Sequence, residues 1–312
     1  MGGTKSRVAM ISRNGAIVAF TSIKTEAYKG VDNIISRLTQ AAHRIVNKAN
    51  VDMKEISGIS LAIAGGIDIH RGLVTASPHL PGWRNVPLKS IMEENLGKRV
   101  RLVNDANAAA LGEYFYGRGK GIKNLIYLTV STGIGGGIII DGHLYEGING
   151  VAGEIGHMII KDGGAKCSCG SNGCFEAMVS GTAMAREAEA SIKGHKNTLL
   201  KDIYEKNNGQ IKAVDIARAA RTGDSVAQKI VQNATYYLGI GLTNIVNIFN
   251  PEMIVIGGGL SKMGNLLLGP AREVTKARAF TLAANNVKIV KSNLGDRAGL
   301  LGAAALFFIE AG

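Results

Sequence analysis

Leu125-Ile126-Tyr127-Leu128-Thr129-Val130 runs into Ser131-Thr132-Gly133-Ile134-Gly135-Gly136, and Gly137-Ile138-Ile139-Ile140 follows at once. Two apolar runs of strand length about a hydroxyl- and glycine-rich connection read as two strands joined by a turn spanning 131–136. Related arrangements lie elsewhere in the chain. Ile59 to Ile63 reads as a strand ending in Ala64-Gly65-Gly66, Val100 to Val103 as one ending at Asn104-Asp105, and Met253 to Ile256 as one entering Gly257-Gly258-Gly259. Val8 to Ile11 and Ile17 to Phe20 flank Arg13-Asn14-Gly15, a hairpin signal. Helical spacing fills the intervals. Val31 to Asn47 sets Ile34, Ile35, Leu38, Ala41, Ala42 and Ile45 on one stripe, and Ala106 to Tyr116, Ala227 to Phe249 and Ala298 to Phe308 also read as helices. Strands alternating with helices predict an α/β fold, with most polar or glycine-rich motifs just past strand ends, where open α/β sheets bind ligands.

Composition bounds the remaining choices. A chain of 312 residues, 46% of them hydrophobic, is long enough for two lobes. The glycine-basic stretch Gly117-Arg118-Gly119-Lys120-Gly121 is the predicted hinge. No run approaches the roughly 20 apolar residues of a membrane span, and no secretory signal opens the sequence, so no membrane partner is expected. The net charge of +12 comes from dispersed basic residues, and aromatics are only 5% of the chain, so nucleic acid is not an expected partner either. A basic surface that attracts an anionic substrate is the better reading.

The three cysteines fall within eight residues, Cys167-Ser168-Cys169 and Cys174, ten residues after His157. Three thiolates and an imidazole form a closed zinc ligand set with no open catalytic position. Gly170-Ser171-Asn172-Gly173 is turn sequence, so apolar packing does not explain these thiols. Clustered thiols without spread pairs predict a reducing, cytoplasmic setting. The glycine clusters at Gly2-Gly3-Thr4-Lys5, Ser131 to Gly136 and Gly257 to Gly259 free backbone amides for phosphate oxygens, although none is a Walker A loop. Asp105, between Asn104 and Asn107, reads either as a helix N-cap or as a general base for phosphoryl transfer.

Together these motifs resemble the ROK family of sugar kinases, and the resemblance runs from Gly2 to the final helix. Gly2 to Lys5 looks like its first phosphate motif and Asn104 to Ala108 like its catalytic segment. Ser131 to Gly137, continuing to Gly153-Glu154-Ile155-Gly156-His157, looks like its second phosphate motif and signature. Cys167 to Glu176 looks like its zinc motif, Ile256 to Ser261 like its adenosine motif, and Ala298 to Ala304 like its closing helix. The resemblance implies a two-lobed ribonuclease-H-like fold of the actin and hexokinase superfamily, with residues 1–117 plus 296–312 as one lobe, 118–295 as the other and the active site between them. It also implies ATP-dependent phosphorylation of a hexose 6-hydroxyl, glucose first. Asp105 is then the base, with Gly65, Gly66, His79, Asn104, Glu154, His157 and Glu176 around the sugar. Gly3, Thr4, Lys5, Thr132, Gly133, Gly257 and Gly258 contact ATP. Mg2+ accompanies ATP, structural Zn2+ sits on His157, Cys167, Cys169 and Cys174, and a homodimer or homotetramer is expected.

Two departures from the family pattern stand out. Family members carry a strand ending in aspartate ahead of Gly-Gly-Thr, whereas this sequence starts at Met1. Either its start lies too far downstream, or the protein binds ATP poorly and folds with a gap beside Val8 to Ile11. His79 stands where a sugar-binding asparagine is usual. N-acetylmannosamine or N-acetylglucosamine kinase and a catalytically impaired sugar binder are the alternative readings. The family's sugar-responsive repressors are disfavoured, because no winged-helix region precedes Gly2 and Asp105 is retained.

Overall fold

The computed structural model describes residues 1–77, 80–194 and 197–309. In chain order its elements open with β1 (Lys5–Ile11), β2 (Ile17–Lys24), α1 (Val31–Ala49) and β3 (Ile59–Ile63). There follow β4 (Gly66–Asp68), β5 (Leu73–Ala76), β6 (Arg84–Val86), α2 (Leu88–Leu96), β7 (Val100–Asn104) and α3 (Asp105–Tyr116). The middle of the chain holds β8 (Leu125–Val130), β9 (Ile134–Ile140), β10 (His143–Leu144), α4 (Phe175–Val179), α5 (Gly181–Gly194), α6 (Leu199–Lys206), α7 (Ala213–Arg221) and α8 (Ser225–Phe249). It closes with β11 (Met253–Gly257), α9 (Asn265–Arg278), α10 (Thr281–Asn286), β12 (Lys288–Lys291) and α11 (Ala298–Ile309).

The chain forms two compact units, one of Met1–Lys123, Gly137–Gly153 and Asn293–Gly312, the other of Asn124–Gly136 and Glu154–Ser292. The boundaries differ from the sequence expectation mainly at Gly137–Gly153, which lies with the first unit. Close backbone packing explains the difference. A Cβ on Gly137 would stand 2.6 Å from the Ala110 side chain and 2.8 Å from the Ala106 carbonyl oxygen, both in α3.

In the first unit β1 and β2 form an antiparallel pair, β3 and β7 a parallel pair, and β4, β5 and β6 a small antiparallel sheet. One face of α1 carries Ile34, Ile35 and Leu38 into a core with Ile63, Val74, Trp83, Leu88 and Met92. Helix α3 is buried along most of its length and packs on α11 through small residues. A Cβ on Gly302 would lie 1.6 Å from the Ala108 carbonyl oxygen, so only glycine permits this approach. The hairpin is longer at both outer ends than its apolar cores suggest, because the strands pair from Lys5 with Lys24 through to Ile11 with Ile17. Between β1 and β3 lies an apolar cavity of about 910 Å³, bordered by Val8–Ile11 and Ile59–Ala62.

In the second unit β11 pairs in parallel with β8 on one side and β12 on the other. All five residues of β11 are buried, as suits a parallel strand covered on both faces. Helix α8 supplies Leu238, Leu242 and Ile245 to this core, each fully buried. The turn predicted over 131–136 is shorter in the structure, since Ile134, Gly135 and Gly136 already belong to β9. Among the described residues no helix is long and apolar enough to cross a membrane.

Candidate active site and metal centre

In the first unit β7 delivers Asn104 and Asp105 to the start of α3. Asn104 is the N-cap. Its Oδ1 accepts the Ala106 amide at 2.8 Å and the Asn107 amide at 3.4 Å, and its Nδ2 donates to the Gly65 carbonyl at 3.3 Å. The two readings of Asp105 are thereby separated, because the cap that would have occupied it falls to its neighbour. Asp105 is exposed at the first helical position, and among the described residues no hydrogen bond engages its carboxylate. The same geometry commits much of Asn104's side chain to backbone groups.

Gly65 has φ +128°, and a Cβ there would stand 2.4 Å from the Ala76 carbonyl oxygen, so glycine is required beside the Asn104 cap. Gly66 begins β4, where a Cβ would meet Thr75 Oγ1 at 2.5 Å. His79 lies outside the described residues. Gly3, Thr4 and Lys5 form the turn into β1. Thr25 fastens that turn, its amide donating to the Thr4 carbonyl at 3.0 Å and its hydroxyl to the Gly2 carbonyl at 2.6 Å.

In the second unit the glycine motifs end adjacent parallel strands, with Thr129 of β8 in register with Gly257 of β11. A Cβ on Gly257 would reach within 2.1 Å of Tyr127 Oη, and Gly258, at φ +80°, would meet the Val130 carbonyl oxygen at 2.5 Å. Gly259 comes close to Ser131 Oγ. Both turns therefore share one sheet end, the position expected of a ligand-binding edge.

The Ser131–Ile134 turn is clamped from two sides. The Gly181 amide donates to the Ser131 carbonyl at 2.7 Å, and Thr182 Oγ1 to the Thr132 carbonyl at 2.9 Å. Opposite them, Glu176 Oε2 accepts the Ile134 amide at 2.8 Å, and Glu176 Oε1 accepts Ser168 Oγ at 3.4 Å. A Cβ on Gly133 would stand 2.3 Å from Glu176 Oε2. Sequence reasoning missed Gly181 and Thr182, whose only signal is a small-hydroxyl pair at the head of a helical pattern.

His157, Cys167, Cys169 and Cys174 converge, their ligand atoms all within 4.8 Å of one another. Cys167 Sγ lies 3.6 Å from His157 Nδ1, and Cys169 Sγ lies 3.7 Å from Cys174 Sγ. Zinc–sulfur bonds of about 2.3 Å and a zinc–nitrogen bond of about 2.0 Å at tetrahedral angles would place such atoms roughly 3.6 and 3.8 Å apart. The donor set fits zinc, with Nδ1 as the histidine ligand. Gly173 makes the loop possible, since it has φ +71° and a Cβ would lie 1.7 Å from the Lys161 carbonyl oxygen. Burial and the neighbouring thiols push the Cys174 thiol up to about 12, whereas a backbone hydrogen bond at Ser171 and the Cys167 thiol lower that of Cys169. A bound cation would hold both as thiolates. His157 Nε2 faces away from this set, 3.8 Å from Glu154 Oε2, and the Glu154 carbonyl accepts the His157 amide at 3.0 Å. Glu154 and His157 bracket one short helical turn, and Glu176 follows Cys174 by two residues.

Known proteins share the sequence and the fold of this chain. The family model described as ROK family matches residues 1–309. A glucokinase of Halalkalibacterium halodurans is 38% identical over 303 residues, covering 97% of this chain and 91% of that protein. The crystal structure of a ROK family glucokinase from Streptomyces griseus in complex with glucose and AMPPNP superposes with a TM-score of 0.82 at 33% identity, covering 98% of this chain and 96% of that one. A xylose repressor of Caldicellulosiruptor bescii is 38% identical over 275 residues, covering 88% of this chain and 68% of the repressor.

Proposed function

Because the chain belongs to the ROK family, we propose that it is an ATP-dependent glucose kinase that transfers the γ-phosphoryl group to the sugar 6-hydroxyl. The fold is the mixed α/β fold of ROK hexokinases and glucokinases, and the protein is a sugar kinase. The observation that carries the reaction is the state of Asp105, an exposed carboxylate that Asn104 relieves of capping. Such a group is available to accept the hydroxyl proton as the oxygen attacks phosphorus. It also supports a kinase over the regulatory function named for the xylose repressor.

Around this reaction we assign Gly65, Gly66, His79, Asn104, Glu154, His157 and Glu176 to the sugar. Support for the last three is their shared metal loop, which orients His157 through Nδ1 and leaves Nε2 for a hydroxyl. Gly3, Thr4, Lys5, Thr132, Gly133, Gly257 and Gly258 are assigned to ATP, supported by the bare backbone of the adjacent β8 and β11 turns. Mg2+ bound with ATP supplies charge neutralisation at the transferring phosphoryl group. Zinc on His157, Cys167, Cys169 and Cys174 braces the loop and takes no part in the chemistry. The protein acts in the cytoplasm as a homodimer or homotetramer, a reading supported by its reduced thiol cluster and by resemblance.

Purified protein is tested with ATP, Mg2+ and a hexose panel by coupled detection of ADP. The expected result is turnover fastest with glucose. Fastest turnover with N-acetylmannosamine or N-acetylglucosamine would move the assignment to those sugars, and sugar binding without ADP release would replace it with a binding protein.

A further inference from the structure

The segment that carries the converging cysteines rests on α8. Tyr237, Gly241 and Asn244 recur at spacings of four and three residues, so they share one stripe of that helix. Each meets a different residue of the segment. The Tyr237 ring lies 5.5 Å from Lys161 Nζ, Asn244 Nδ2 donates to Met158 Sδ at 3.8 Å, and Gly241 lies against the Phe175 ring. Met158 and Phe175 are themselves joined, since the Phe175 amide donates to the Met158 carbonyl at 2.8 Å, and Ile159 forms an antiparallel bridge with Cys174. Met158 directly follows His157, and Phe175 stands between Cys174 and Glu176. The stripe on α8 therefore reaches the immediate neighbours of two ligand candidates and of Glu176.

The Gly241 contact is the closest of the three. A Cβ there would stand 2.4 Å from Phe175 Cζ and 2.5 and 2.7 Å from Cε2 and Cε1, so the tip of the ring enters the space that glycine leaves. Phe175 is fully buried. Glycine inside a 25-residue helix weakens it relative to alanine, and the ring supplies the packing reason for glycine at 241. Helix α4 has five residues, too few to hold its shape alone, so its orientation comes from packing. Phe175 and Val179, four residues apart and both fully buried, fix which face of α4 points inward. Glu176, one residue on and about 100° round the helix, is thereby turned to the Ile134 amide.

We propose that Phe175, seated on Gly241, is a positioning residue that holds Glu176 against the Ile134 amide, a second brace that acts independently of the cysteine ligands. The contact chain Gly241–Phe175–Glu176–Ile134 lets α8 set the geometry of the turn between β8 and β9. Every member lies in the second unit. The inference goes beyond the proposed reaction and holds whichever sugar is bound.

The test is hydrogen exchange at the Ile134 amide, whose acceptor is Glu176, with the β11 amides as an internal control. It needs no activity, so it stands even if the kinase reading fails. Gly241→Ala pushes the ring out of its seat, and Phe175→Leu leaves the seat partly empty. Each is expected to speed exchange at Ile134 at least about tenfold, with β11 unchanged and zinc content equal to that of the wild type. Unchanged exchange at Ile134 overturns the proposal. Equal acceleration in β11 also overturns it, because the effect is then general loss of stability. Loss of zinc together with protection overturns the independence from the cysteine ligands. The double variant Phe175→Leu with Gly241→Ala pairs a shorter side chain with the added methyl, and it guards against misfolding of Gly241→Ala. Slower Ile134 exchange in the double variant than in Gly241→Ala supports the contact, and no recovery overturns it.

Discussion

The Glu176 carboxylate accepts the Ile134 amide at 2.8 Å, and this one bond ties the helix that follows the cysteine cluster to the turn between β8 and β9. Glu176 is the second residue of α4, and α4 begins directly after the zinc-ligand candidate Cys174. The carboxylate thus stands two residues after Cys174, at the head of this helix. Gly133 completes the relationship by leaving room for the carboxylate oxygen. A residue assigned to the sugar on resemblance thus also shapes backbone assigned to ATP.

Glu176→Ala removes the acceptor for the Ile134 amide and frees the Ser131–Ile134 turn. The expected outcome is a rise in KM for both ATP and sugar, with a loss in kcat/KM of roughly tenfold to a hundredfold, about the value of one hydrogen bond to a charged group. Gly133→Ala should raise the KM for ATP as well, because its Cβ displaces the same carboxylate. Steady-state kinetics with each substrate varied in turn checks both, and an unchanged ATP dependence in both variants would remove the bracing role.

Asp105→Asn keeps size and helix position but cannot accept the hydroxyl proton. We expect kcat to fall roughly 100- to 10,000-fold, the usual worth of a general base. Glucose affinity measured by calorimetry should change far less. Retention of most of kcat would exclude Asp105 as the base.

Cys169→Ser replaces one of four converging ligands. Metal analysis of the wild-type protein is expected to find one zinc per chain, and of the variant substantially less, with a lower Tm. Loss of the loop should also lower sugar affinity through Glu154, His157 and Glu176. One zinc still bound per variant chain would refute the ligand set.

Asp224 offers a prediction in pH. Burial raises its carboxyl pKa, but hydrogen bonds from Ala227, Thr198, Leu199 and Val226 outweigh that and hold it below the ordinary value of 3.8. It caps α8 through the Ala227 amide at 2.8 Å and holds the start of α6 through the Leu199 amide at 2.7 Å. With the folded pKa below the unfolded one, the stabilisation is full above the unfolded value and is lost as pH falls through the folded one. Asp224→Ala should cost about 1–2 kcal/mol at pH 7. Chemical denaturation should show that difference shrinking below about pH 4, as the wild type loses its charge.

The strands and long helices were legible because their periodicities are strong, as in the buried β11 and the striped α1. Ile134 to Gly136 was misread as turn because glycine content suggests a bend, whereas the ladder recruits these residues to β9. The membership of Gly137–Gly153 in the first unit was illegible for a different reason. It follows from how closely Gly137 approaches α3, and no local pattern encodes that distance.

Residue types and spacing alone pointed to a soft donor set, whereas the reaction class came from resemblance to the ROK family. Cys167, Cys169, Cys174 and His157 form a soft donor set wherever the chain carries them, and glycine at 257–259 permits close ligand approach in any fold that ends a strand there. Tertiary structure alone decided which nitrogen of His157 faces the cysteine thiols, that Asn104 and not Asp105 caps α3, and that Glu176 braces Ile134. Those outcomes depend on distances of a few tenths of an ångström between groups far apart in sequence, and only packing sets such distances.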